Sequence, residues 1–103
     1  MFLIEEKFDV LSYFQIFDID DLYHNVGLNF SGTNINNEDL SFLLKCPNLR
    51  YLFLNNTSIS DISILSKLTY LMGLEINNTM ISKVDSVELQ NILNNTSIFF
   101  NGI

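Results

Sequence analysis

The sequence predicts an α/β fold in which short parallel strands line one face and short helical or 3₁₀ segments return along the other, a solenoid capped at both ends. Three observations predict it. The stretch LRYLFLNNTSISDI, residues 49 to 62, recurs as LMGLEINNTMISKV at residues 71 to 84. Within each copy the apolar residues keep fixed offsets from a threonine: Leu49, Leu52, Leu54, Ile59 and Ile62 around Thr57, and Leu71, Leu74, Ile76, Ile81 and Val84 around Thr79. With 48% apolar and 17% charged residues among 103, the composition is that of one globular domain.

The repeat extends in weaker form on both sides. Around Thr33 it keeps Leu28, Phe30 and Ile35 but carries Asn25 and Glu38 at the outer offsets. Around Thr96 a shortened copy keeps Asn94-Asn95, Leu93 and Ile98, with Asn91 where a leucine is expected. The spacings between threonines are 24, 22 and 17 (57 − 33, 79 − 57, 96 − 79). This pattern resembles the leucine-rich repeat family, L-x-x-L-x-L-x-x-N/C-x-L, over roughly residues 25 to 100. One departure is a threonine where that family usually has asparagine or cysteine; its hydroxyl can still bond loop backbone. The resemblance implies a single domain over 1–103, with an N-terminal cap at 1–24, repeats at 25–88, and a degenerate last repeat and C-terminal cap at 89–103.

Each element has a local reason. Residues 2 to 24 are rich in aromatics but fit neither period, and are read as the cap that an open end unit needs. In Leu52-Phe53-Leu54 and Leu74-Glu75-Ile76 the outer residues point to one face and the middle residue to the other. The Asn-Asn-Thr corners turn the chain, and Ile59 and Ile81 re-enter the interior. Asn36 or Asn37, Asp61, and Asp85 with Glu88 three residues on are the helix-start signals of the returning segments. The first of these, through Leu40, Leu43 and Leu44, ends at Cys46-Pro47, where proline stops a helix. The tail Ile98-Phe99-Phe100-Asn101-Gly102-Ile103 is either a closing cap strand or an edge that pairs with a second copy through Phe99 and Phe100.

Charge and chemistry narrow the function classes. Of the net charge of −7, −5 falls within residues 1 to 25, where Glu5, Glu6, Asp9, Asp18, Asp20 and Asp21 face Lys7 alone. Five scattered basic residues make no stripe for a polyanion or an anionic membrane, so neither nucleic acid nor membrane is the expected partner. No apolar run approaches a membrane span or a secretory leader, and the single cysteine, Cys46, suits a reducing compartment, so a cytoplasmic location is expected. His24 and Cys46 are too few soft ligands for zinc. Asp18-Ile19-Asp20-Asp21 fails as a calcium loop, with Leu22, Tyr23 and Asn29 at positions five, six and twelve. The four glycines are isolated and form no phosphate loop, and one histidine without a placed acid makes no triad. No cofactor and no catalytic role is expected.

What remains is recognition. On the concave face the solvent-facing residues are Gly27, Asn29 and Ser31, then Arg50, Tyr51, Phe53 and Asn55, then Met72, Gly73, Glu75 and Asn77. Tyr, Phe, Met and Arg are enriched at interface cores. The site expected for a partner is therefore Asn29, Arg50, Tyr51, Phe53, Asn55, Met72, Glu75 and Asn77, together with the acidic N-terminal residues. The family resemblance implies protein binding; the charge points to a basic partner, such as a cationic toxin or nuclease neutralised by an immunity protein. The alternative is assembly of a monomer into homodimers through the C-terminal edge.

Overall fold

The structure, a computed structural model, describes residues 27–101; Glu5, Glu6, Asp9, Asp18, Asp20, Asp21, His24 and the expected N-terminal cap lie outside them. Four strands, β1 (Gly27–Asn29), β2 (Tyr51–Phe53), β3 (Gly73–Glu75) and β4 (Ser97–Phe99), form one parallel sheet in the order β1-β2-β3-β4. Each joins the next with equivalent residues opposite one another: Leu28 beside Leu52, Leu52 beside Leu74, Leu74 beside Ile98. Between strands the chain returns through 3₁₀ helices at Asn37–Lys45 and Leu65–Lys67 and an α-helix at Lys83–Ile92. The fold is thus α/β, with a small parallel sheet and few short helices.

The corner after each strand is built from the repeat's own residues. Phe30, Leu54 and Ile76 are fully buried, and the threonine three residues on donates its hydroxyl to their carbonyl oxygens at 2.6 Å (Thr33), 2.7 Å (Thr57) and 3.0 Å (Thr79). The residue before the threonine is left-handed each time, Gly32 at φ 75°, Asn56 at 58° and Asn78 at 56°. Glycine has no Cβ to clash there, and asparagine tolerates the region better than most residues. That conformation aims the corner N–H groups at the next unit. Gly32 donates to Asn55 O, Asn56 to Asn77 O and Asn78 to Asn101 O at 2.8 to 2.9 Å, and one step earlier Phe30, Leu54 and Ile76 donate to Phe53, Glu75 and Phe99. The backbone groups of a sharp turn are in this way satisfied by the neighbouring unit.

Apolar side chains from every described unit meet in one core, which includes Leu28, Leu52, Leu74, Ile35, Ile59 and Ile81. Cys46 lies within it, fully buried. The 3₁₀ helix Asn37–Lys45 starts at Asn36, whose side chain accepts from Asp39 N while the Asp39 carboxylate accepts from Asn36 N, a reciprocal cap. It buries Leu40 and Leu43 and stops at Cys46, before Pro47. Asn37 does not cap this helix but ties it to the next unit, its amide oxygen accepting from Ser60 N and Asp61 N.

Three expectations are corrected. First, Thr96 is not a corner threonine. It precedes β4 and donates to Leu71 O at 2.7 Å, whereas the corner threonines follow their strands and bond the carbonyl three residues back. The fourth strand starts a full 24 residues after Gly73 (97 − 73), and Ile98, Phe100 and Asn101 occupy the places of Leu74, Ile76 and Asn77. Second, the last helix is capped by Ser82, which accepts from Asp85 N; it begins before Asp85-Glu88 and runs through the boundary expected at 88/89. Val84, in its first turn, is consequently 74% exposed and not a core residue. Third, Asp61 caps no helix; it accepts from the backbone and hydroxyl of Ser63 in a local turn.

Two measurements check this construction. Thr57→Val, which strips the buried carbonyl of Leu54 of its donor, should lower the unfolding free energy by about 1–2 kcal/mol in urea titration, and Asn56→Ala by roughly 1–2 kcal/mol where Asn56→Gly changes it little. Burial pushes the Cys46 thiol from 9.0 up to about 11, so the folded chain keeps that proton when the unfolded chain has released it. Its stabilising contribution is complete below pH 9.0 and is lost as pH rises through about 11. Tyr70, raised by its own burial and by the Cys46 charge, shifts the same way. Cys46→Ala should flatten the fall of the urea midpoint across that window, and at neutral pH the native thiol should resist thiol reagents until the chain unfolds.

Candidate interaction face

Because the strands pair in register, their outward side chains form rows across the sheet. One row reads Gly27, Tyr51, Gly73, Ser97 and the next Asn29, Phe53, Glu75, Phe99. Strand spacing puts row neighbours about 4.8 Å apart. The residues that follow, Ser31, Asn55 and Asn77, continue the pattern at the corner.

Aromatic side chains stand on β2 and β4, while β3 between them carries Gly73. The Tyr51 ring leans across this glycine: a Cβ placed there would sit 3.1 Å from Tyr51 Cδ1, so only glycine leaves the ring where it is. Tyr51 Oη points to Met72 Sδ at 3.7 Å. The result is a groove of about 420 Å³ over β3, walled by Tyr51, Phe53 and Met72 on one side and Phe99 and Ser97 on the other, with Glu75 in its floor. Tyr51, Met72 and Phe99 are 41%, 55% and 54% exposed, far more than the repeat's core positions.

The corner row holds Glu75 in place. Asn55 Nδ2 donates to Glu75 Oε1 at 2.8 Å, while Asn55 Oδ1 accepts from both the backbone and the side-chain nitrogen of Asn77 at 2.9 and 3.0 Å. Ser31 Oγ in turn accepts from Asn55 N at 3.0 Å. Among the described residues Asn55 is the only donor to the Glu75 carboxylate, and no lysine or arginine pairs with it.

The expected site residues therefore separate by role. Tyr51, Phe53, Met72 and Glu75 come together in the groove. Asn55 and Asn77 stand at its end as a hydrogen-bonded ladder, with their amides used on one another and on Glu75. Asn29 lies on β1 outside the groove, its side chain accepting from Ser31 N at 3.0 Å. Arg50 is set apart: its guanidinium donates to Pro47 O and Leu49 O and sits 5.7 Å from the Tyr70 ring centre, at the start of the strand. Of the two tail aromatics, Phe99 joins the groove, while Phe100 packs partly buried against the core at the place of Leu54 and Ile76.

Phe99 is the groove member that the sequence pattern assigns to the tail. The signal for it is the corner pair Asn101-Gly102, which matches Asn77-Asn78 once glycine is allowed at the left-handed position; aligned there, Phe99 falls beside Glu75. A second, more open hollow of about 560 Å³ lies past the β3 corner, along Thr79 to Lys83 with Phe100 and Asn101. Among the described residues no three His, Cys, Asp or Glu side chains converge on one point, and no helix is long and apolar enough to cross a membrane. Comparison with protein-family models, with curated proteins and with solved structures returns no match for this chain.

Asn55→Ala should cost about 1–2 kcal/mol of stability, because the Asn77 and Glu75 groups it serves lose their partner. Asn77→Ala should cost less, since it removes the terminal rung alone; chemical denaturation of both variants checks the order.

Proposed function

We propose that the chain is a leucine-rich-repeat solenoid and that it acts as a protein-interaction module, without catalysis or cofactor, which binds and neutralises a basic protein partner. The observation that carries this reading is the groove over β3: aromatic and thioether walls around a carboxylate that no cation of the described residues neutralises. The repeated corners, the in-register parallel strands and the helical returns are what a solenoid of this family would have. The groove then lies on its concave face.

A net charge of −7, with −5 of it in residues 1 to 25, adds a long-range attraction for a basic partner. An immunity protein that blocks a cationic toxin or nuclease is the concrete form. Cys46, fully buried and without a second cysteine to pair with, suits a reducing compartment such as the cytoplasm. Self-association is the second reading, favoured by one observation: β4 is one of the two outer strands of the sheet among the described residues and carries exposed Phe99.

The test is retention of a partner on the immobilised full chain, followed by titration with that partner in purified form. The expected partner is basic, is released by salt, and binds Phe53→Ala at least tenfold more weakly, about 1.4 kcal/mol. A neutral or acidic partner, or affinity independent of salt, overturns the reading. A concentration-dependent dimer in light scattering that Phe99→Asp abolishes establishes the assembly reading in its place.

A further inference from the structure

The groove over β3 has a composition that selects its occupant. Its walls are apolar, so an occupant excludes water from them, and Glu75 lies in the floor among them. A neutral apolar side chain seated there would strip the carboxylate of water and offer it no donor in return. An anion would be repelled outright. A long side chain with methylenes for the walls and a cation at its tip meets both demands, since such chains pack their stems on apolar surface and their charge on a partner.

The geometry of the floor supports this. β2 and β4 stand two strand spacings apart, about 9–10 Å. Gly73 adds no side chain between them, which leaves room for the leaning Tyr51 ring and keeps the groove open between that ring and Ser97 and Phe99. Asn55 holds Glu75 through Oε1, so the carboxylate is oriented before anything binds and Oε2 has no donor among the described residues. Tyr51, Phe53 and Phe99 line the same groove, and aromatic rings attract a cation placed over their faces.

We propose that this groove is a receptor for a single lysine or arginine side chain of the protein partner, its stem between Tyr51 and Phe99 and its charge on Glu75. The proposal rests on the basic-partner reading above and assigns to it the site of contact. The groove then supplies the contact that distinguishes one basic surface from another.

The test uses the ¹⁵N-labelled full chain titrated with the blocked tripeptides Gly-Arg-Gly and Gly-Lys-Gly, with Gly-norleucine-Gly as the uncharged control. Either cationic peptide should shift the Gly73, Glu75 and Phe99 amides, and the control should not. Glu75→Gln, which keeps an oxygen for Asn55 but removes the charge, should weaken the cationic peptide about fivefold or more. Phe99→Ala should weaken it about two- to fivefold. Equal binding of the norleucine peptide, shifts confined to other residues, or a Glu75→Gln variant that binds as well as the parent overturns the receptor. Those results leave the basic-partner reading intact, since it is decided separately by the salt-released partner.

Discussion

A chain that must turn sharply at the end of every three-residue strand leaves backbone N–H groups with no partner of their own. In this protein the left-handed residues Gly32, Asn56 and Asn78 resolve the difficulty by aiming those groups at the following unit, and the threonine after each one satisfies a buried carbonyl. The corner of one unit is therefore completed by the next. The core depends on it as well: Leu28, Leu52, Leu74 and Ile98 stack only because the corners hold the strands in register.

The same register determines the outward face. When equivalent residues sit side by side, differences between units become differences in height along a row, and Tyr51, Gly73 and Ser97 alternate large, absent and small. A groove results without any loop or insertion. The asparagine ladder that closes the corner row also reaches Glu75, so the part of the repeat that maintains the fold orients the one charge in the groove. Fold and candidate site are coupled through Asn55.

The sequence was most legible where a residue type has one physical use. Leucines at fixed offsets could only be core, and Leu49, Leu52, Leu54, Leu71, Leu74 and Ile76 all are. The stop at Cys46-Pro47 was readable for the same reason, and the cap to within one residue, Asn36 or Asn37. It was least legible where one type has several uses. Thr96 matched the corner threonines in its neighbours yet serves Leu71 from the far side of its strand. Val84 kept the repeat's offset but falls in an α-helix begun earlier by Ser82, where its side chain turns to solvent. Arg50 looked like a face residue beside Tyr51, but it precedes the strand and its long side chain curls onto nearby carbonyls.

By itself the sequence determined the period, the buried positions and the alternation that turns Phe53 and Glu75 away from the core, because these follow from hydrophobic spacing and the two-residue repeat of a strand. Only the tertiary structure decided that the final strand lies a full period beyond β3, and hence that Phe99 faces Tyr51 across Gly73. Spacing along a chain says which face a residue occupies. It does not say what stands beside it on the next strand, because inter-strand neighbours are chosen by backbone hydrogen bonds between units, and those belong to no single stretch of sequence.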